Sequence, residues 1–308
     1  MNRKKDLIVA RIHDGLGNQL FIYAAARRIA DARGAELLLD VSSAFARDRK
    51  YGAIPQLRHF AIKASFAPQR LCFSPRFGRH VRDVQNSYSK HVPLRHRFAA
   101  WERDFDALCT GAPSRHIVRL EGYWQSERYF APIADEIANE LCIVSPLSEI
   151  SLAMAERISA TRAVCLHVRQ MHGVHHGAFA QPPPSHSPRL PFSYYEQAVE
   201  QIAKRVENPT FFCFADNFDG IRERWKFPYP IHFVDHNRER DHAYEDLALM
   251  SLCRHFVIGN STFSWWGAWL ARSREKIVIA PANRGKFTWS SEADVIPENW
   301  QVLAVEGA

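Results

Sequence analysis

No stretch of the chain approaches the roughly 20 consecutive apolar residues that a membrane-spanning helix needs. The basic start, MNRKK, is followed only by Leu7 to Ala10 before Arg11, His13 and Asp14 intervene, which is too short an apolar run for a secretory leader. There is no CxxC: Cys72, Cys109, Cys142, Cys165, Cys213 and Cys253 lie far apart, so neither a zinc knuckle nor a dithiol redox motif is written here. Reduced thiols and a cytoplasmic location are the expectation. Basic residues near the N-terminus and at Arg47 to Lys50 leave room for peripheral contact with an anionic inner membrane. The chain also lacks GxGxxG, the lysine of a phosphate loop, internal repeats and any aromatic RNA-binding signature. Its net charge of +7 and pI near 9.2 suit an anionic ligand, but the charge is spread over 40 Lys and Arg and forms no single tract.

What is present is the pattern of an α/β protein. Leu7 to Ile12 reads as a strand, HDGLGN as a loop, Gln19 to Arg33 as an Ala-rich helix stopped at Gly34, and Glu36 to Asp40 as a second strand. Residues from Ser42 to Ala112 show no period. Ile117 to Gly122 reads as a strand and Ser126 to Leu141 as a helix capped by Ser126. The second half alternates more plainly. Strands are expected at Ala163 to Val168, Thr210 to Ala215, Ile231 to Val234, His255 to Ile258 and Lys276 to Ala280. Helices are expected at Ser193 to Val206 (Ser193 as N-cap, Glu196 completing a capping box), Phe218 to Trp225, Tyr244 to Cys253 and Ser261 to Arg272. This alternation predicts parallel sheets covered by helices, in two domains meeting near residue 150. Ligands of such sheets lie beyond the carboxyl ends of the strands.

Three strand-to-helix junctions carry suitable chemistry. The first, Gly15-Leu16-Gly17-Asn18-Gln19, offers bare backbone and the amides of a helix start. At the second, His167-Val168-Arg169, an arginine fork at a strand end can clamp a diphosphate. The third, Gly259-Asn260-Ser261-Thr262-Phe263-Ser264, brings hydroxyls and amides to a helix N-terminus, where phosphates bind well. Trp265, Trp266 and Trp269 are assigned to packing.

The segments RIHDGLGNQLFIYAAA, EGYWQSERYF, HVR, FFCFADN and DLALMSLCRHFVIGNSTFSWWGAWLA, spanning residues 11 to about 272, resemble the successive motifs of the α-1,2-fucosyltransferases, glycosyltransferase family 11. The resemblance implies a GT-B-like α/β fold of two Rossmann-type domains facing each other across a cleft, with residues 1–150 on the acceptor side and 151–308 binding the GDP-sugar. It implies GDP-fucose as donor, a glycan acceptor (soluble oligosaccharide or lipid-linked), inversion at the anomeric carbon, no metal and no cofactor. O2 of galactose is the acceptor position it favours. Carried over residue by residue, His167 and Asp216 hold guanine or its ribose. Arg169 neutralises the β-phosphate. Asn260, Ser261, Thr262 and Ser264 bind phosphate oxygens, and Gly17, Asn18 and Gln19 face the sugar.

The chain departs from the family's HxRRxD motif, having Gln170 and His172 where the second Arg and the Asp are usual. It also has Asp14 and Ile22 where Gly and Gln are commoner. For the base that takes the acceptor proton the candidates are Asp14, His172, His175 and His176, the histidines lying in a Pro-rich segment. Asp104-Phe105-Asp106 matches the DxD pattern of metal-dependent transferases, but its irregular polar context points to chance. Two other readings compete: a related transferase with a changed donor or acceptor, and a glycan- or RNA-binding protein without catalysis, the latter disfavoured by the missing RNA motif.

Overall fold

A computed structural model of the chain describes residues 5–45, 53–73, 84, 87–88, 91–169, 190–218, 220–237, 239–282 and 294–305. The chain divides into two compact units, Met1–Cys142 and Ile143–Ala308. The break thus falls somewhat before residue 150. Ser148 caps a helix of the second unit, accepting from Ser151 N, and both its N–H and its hydroxyl donate to Glu245 (2.9 and 2.7 Å).

The first unit comprises β1 (Leu7–Arg11), α1 (Leu16–Arg33), β2 (Glu36–Asp40), β3 (Ser65–Phe66), α2 (Phe105–Cys109), β4 (Ile117–Leu120) and α3 (Ala134–Glu140). Its four strands are parallel in the order β3-β2-β1-β4. Ile8, Val9 and Ala10 of the central strand are wholly buried, and the Ala24–Ala26 run on α1 is buried with them. Small side chains there let helix and strand backbones approach closely. The helix begins at Leu16, not Gln19, so Gly17, Asn18 and Gln19 form its first turn and Gly15 its N-cap. The helix expected from Ser126 to Leu141 is broken. Ser126 does cap, but it caps a 3₁₀ turn over Glu127–Tyr129, a second turn over Ala131–Ile133 includes Pro132, and only then does α3 start.

The second unit comprises α4 (Glu149–Ser159), β5 (Ala163–Val168), α5 (Phe192–Ala203), β6 (Thr210–Ala215), α6 (Ile221–Arg224), β7 (Ile231–Phe233), α7 (Ala243–Leu252), β8 (His255–Val257), α8 (Thr262–Leu270), β9 (Val278–Pro281) and β10 (Gln301–Leu303). All six strands are parallel, ordered β10-β9-β8-β5-β6-β7. Continuous burial along β5 marks it as the sheet's interior. Helix α5 does not use the Ser193–Glu196 box: Pro191 is its N-cap, and Ser193 lies inside the first turn. Trp265 and Trp266 are fully buried, and the Trp265 ring packs against Trp266, Trp269 and Trp300, as a packing role requires.

Chain order reverses direction once in each sheet. From β1 the chain steps outward to β2 and β3, then returns to place β4 on the other side of β1. From β5 it steps to β6 and β7, then places β8 on the opposite flank and continues to β9 and β10. Such reversals open crevices at the carboxyl ends, between β1 and β4 in one unit and between β5 and β8 in the other.

Candidate active site

In the second unit, expected residues gather around the β5/β8 crevice. Arg169 directly follows β5 and Asp216 directly follows β6. Arg169 Nε lies 3.4 Å from Asp216 Oδ2, with the Asp216 side chain almost wholly buried and that of Arg169 about a quarter exposed. The carboxylate therefore has a structural task, aiming the guanidinium. Across the crevice, a Cβ on Gly259 would stand 2.9 Å from the Tyr195 hydroxyl, 3.2 Å from His167 O and 3.4 Å from Arg169 Cβ, so only a bare backbone lets the two strand ends close up. The Arg169 N–H donates to the Tyr195 hydroxyl (3.3 Å), while Tyr194 donates to Ile258 O (2.8 Å). This tyrosine pair on α5 pins both walls of the crevice. Sequence reasoning missed it, although two adjacent aromatics in a helix's first turn were a visible signal.

His167 is buried in β5, its ring centroid 6.1 Å from that of Phe263. Burial, helped by the Arg169 charge, lowers its pKa to about 3, so the ring is neutral. Its Nδ1 is buried with no hydrogen-bond partner among the described residues, and a ligand group could supply one. Ser261 is the N-cap of α8, with Thr262 opening the helix and no acidic residue in the first turn, so the positive helix end stays uncompensated. The hydroxyl of Ser264 is engaged elsewhere, donating to Ser261 O (3.2 Å) from a buried position. What Ser264 can offer an anion is therefore its backbone amide.

In the first unit the loops after β1 and β4 interlock. Arg11 pairs with Glu121 (2.9 Å). His13 Nδ1 lies 3.2 Å from Asp14 Oδ2 and Nε2 lies 3.2 Å from Gly122 O. Gln125 donates to Asn18 Oδ1 (2.7 Å). Asp14 sits at φ 59° and Trp124 at φ 56°, a strained region for non-glycine residues. Burial pushes the Asp14 carboxyl up, but hydrogen bonds from His13 and Tyr123 and the charges of His13 and Arg11 outweigh it, leaving the pKa below its usual 3.8. Asp14 is thus an ionised carboxylate throughout the neutral range. Gln19, expected to face a sugar, does not: it is fully buried, donates to Asp14 O and Ile54 O (2.8 Å each) and accepts from Gln56 N (2.9 Å). It staples the Asp14 turn to the 53–57 segment. Gly17 is buried in the first turn of α1 beside it.

The DxD match is a structural feature. Asp104 accepts from Trp101 N and pairs with Arg97, and Asp106 belongs to α2. Among the described residues no cluster of three or more His, Cys, Asp or Glu is arranged to hold a metal ion. His172, His175 and His176, with Gln170, lie outside the described residues. One perturbed group escaped the sequence reading altogether. Asp246 on α7 is partly buried and accepts from Asn237 Nδ2 (2.8 Å), and desolvation raises its pKa to about 7.

Compared with known proteins, residues 7–304 match the profile of Glycosyl transferase family 11. An alpha-1,2-colitosyltransferase of Escherichia coli is 27% identical over 310 residues, 96% of this chain and 98% of that protein. An O-antigen biosynthesis glycosyltransferase of Escherichia coli, WbnK, is 32% identical over 111 residues, 36% of each chain. Among solved structures, the fucosyltransferase NodZ from Bradyrhizobium aligns with a TM-score of 0.53 at 15% identity, over 87% of this chain and 94% of that one. A variant of Arabidopsis thaliana FUT1 in complex with GDP aligns with a TM-score of 0.54 at 13% identity, over 90% and 71% of the two chains. The fold is accordingly GT-B-like α/β.

Proposed function

Starting from the fact that the chain belongs to glycosyl transferase family 11, we propose that this glycosyltransferase moves L-fucose from GDP-fucose to a hydroxyl of a glycan acceptor, O2 of galactose in the first instance. The reading has GDP at the β5/β8 crevice of the second unit and the acceptor at the first unit. Transfer is a single inverting displacement, with no metal ion and no cofactor.

The observation that carries it is the pairing of Arg169 with Asp216, opposite the bare Gly259 and the open N-terminus of α8. In a displacement with oxocarbenium character positive charge builds on the sugar ring as negative charge builds on the departing diphosphate. A fixed guanidinium and aligned amides, already oriented before reaction, stabilise it without reorganisation. Arg169 and the amides of Thr262, Phe263 and Ser264 supply that field, with Asn260 and Ser261 at the rim. Neutral His167, with an unsatisfied buried nitrogen, suits a hydrogen bond to the guanosine part of the donor. On the acceptor side Asp14 is the carboxylate that receives the hydroxyl proton. Its low pKa makes it a weak base in the ground state, so the proton moves late, once bonding to the sugar has acidified the hydroxyl.

The colitosyltransferase relative, similar over nearly the full length of both chains, favours a second donor reading, nucleotide-activated colitose. The similarity to an O-antigen glycosyltransferase supports a glycan acceptor; that this glycan is lipid-linked and met at the inner membrane by a peripheral protein is part of the proposal. No helix among the described residues is long and apolar enough to cross a membrane. The test is turnover of GDP-fucose and GDP-colitose side by side on galactose-terminated acceptors, preceded by calorimetry with GDP, UDP and ADP. GDP-selective binding and faster fucose transfer support the proposal. A clear preference for colitose moves it to the second reading. Salt-sensitive RNA binding without GDP affinity would sink both.

A further inference from the structure

The crevice between β1 and β4 has a feature that donor binding does not explain. Its two loops are built to present one aromatic ring beside one carboxylate. After β4 the chain passes through Gly122 at φ 137°, where a Cβ would stand 2.2 Å from Glu102 Oε1. That same carboxylate oxygen accepts from the N–H of Tyr123 (2.6 Å) and of Trp124 (3.4 Å). Trp124, at φ 56°, is then driven inward to full burial against Phe105 and Tyr129. Tyr123 is left facing outward, 43% exposed. On the neighbouring loop Asp14, also left-handed, keeps a third of its side chain exposed. His13 lies between them. Its ring meets the Tyr123 ring edge-on at 4.8 Å, and its two nitrogens face Asp14 Oδ2 and Gly122 O, both at 3.2 Å. Two strained backbones, a half-buried glutamate and a buried histidine thus converge on holding a ring and a carboxylate side by side at a chain reversal.

An apolar ring face next to a hydrogen-bond-accepting carboxylate matches one ligand class well. A pyranose has a C–H face that packs on an aromatic ring and equatorial hydroxyls that donate to a carboxylate. We propose that Tyr123 and Asp14 form the acceptor-sugar subsite, the Tyr123 ring supporting the C–H face of a galactoside and the Asp14 carboxylate taking its hydroxyl, with His13 as the positioning residue that holds both. This rests on the reading of the first unit as the acceptor side. It adds two residues to that reading, Tyr123 and His13.

Binding can be measured without any donor. Saturation-transfer NMR with methyl β-galactoside and lactose should show contact with the wild-type protein. The signal should fall at least tenfold in Tyr123→Ala and persist in Tyr123→Trp, with calorimetric GDP affinity the same in all three. Tyr123 is 43% exposed, and a melting temperature close to that of wild type checks that each variant is folded. Saccharide contact within twofold of wild type in Tyr123→Ala, or none with the wild-type protein, overturns the subsite. His13→Gln adds a readout that a merely structural role would not move. Asp14 faces His13, Tyr123 and Arg11, and loss of the His13 hydrogen bond and charge lets burial raise its carboxyl. Acceptor kcat/KM of the variant should therefore decline from pH 7 to pH 5 while that of wild type holds level. Parallel profiles contradict the role of His13. Absence of GDP-fucose turnover together with Tyr123-dependent galactoside binding would remove the donor assignment and leave the subsite standing.

Discussion

Arg169 and Asp216 end adjacent strands of one sheet and hold each other at 3.4 Å, so the cation assigned to the leaving group is aimed by a buried anion before any ligand arrives. Pre-orientation of this kind is where a metal-free transferase must find its electrostatic stabilisation.

Replacing Arg169 with Ala is expected to lower kcat by at least about 100-fold, the scale seen when one oriented donor to a developing anion is lost. Arg169→Lys keeps the charge but not the planar fork, and should recover only part of the rate. Steady-state rates with saturating acceptor decide it; an Ala variant within tenfold of wild type refutes the assignment.

Transfer should be unchanged by EDTA and not stimulated by added manganese or magnesium, and calorimetric GDP affinity should be the same with chelator and with magnesium. Activity abolished by EDTA and restored by manganese would mean that a cation, and not Arg169 with the α8 amides, neutralises the diphosphate.

Two desolvated groups, His167 and Asp246, give stability opposite pH slopes. Asp246, with its pKa raised from 3.8 to about 7, takes up a proton on folding, so its contribution is fully present below pH 3.8 and declines as pH rises to 7. His167, lowered from 6.5 to about 3, excludes a proton on folding, so its contribution is full above pH 6.5 and falls as pH drops towards 3. The two nearly cancel between about pH 4 and 6.5. Asp246→Asn removes one of them. Its melting temperature should climb with pH across that interval, and above pH 7 the variant should exceed wild type, by up to about 4 kcal/mol from a shift of roughly three pKa units. Thermal melts from pH 4.5 to 8 with parallel curves for the two proteins would contradict the desolvation of Asp246.

Gly122→Ala should destabilise the first unit by about 1–3 kcal/mol, since the new methyl meets the Glu102 carboxylate in a backbone conformation that L side chains rarely adopt. Glu102→Gln, which keeps an acceptor for Tyr123 and Trp124, should cost less. A melting temperature unaltered in Gly122→Ala would show that the loop relaxes without strain.

The apolar runs at 163–168 and 210–215 were readable because a buried parallel strand must be hydrophobic on both faces. Loops placed at strand ends then made Arg169 and Ser261 visible as candidates, while Asp216 came only with the family resemblance. Less was legible where local preference lost to context. β3 and β10 are too short to leave a pattern, and Ser193 offered a good cap that Pro191 pre-empted. The glycines of GLGNQ suggested a loop, but Gly17, Asn18 and Gln19 are the first turn of a helix, held there by the Gln19 bonds to Asp14 and to Ile54 and Gln56. His13 and Tyr123 were invisible because their meaning lies in a contact between chain segments 109 residues apart. Asp246 was passed over because nothing in an acidic helix turn announces desolvation.

Strands β1 and β4 are neighbours in space, yet between them the chain passes through β2 and β3 on the far flank and reaches β4 only where Ala100 bridges Leu120. The described residues of that long excursion are moored along the way, by β3 on β2, by Phe73 N–H on Asp40 and by Gln56 N–H on Gln19, while Asp14 and Tyr123 follow β1 and β4 within three residues. Lengthening a tethered excursion costs little entropy. Changes at Ile54 or Gln56, which hold the Gln19 amide beneath Asp14, should therefore reach the site, whereas insertions elsewhere between Asp40 and Ala100 should be tolerated. Differences in sequence and length among such proteins would then accumulate in that stretch, away from Ile54 and Gln56.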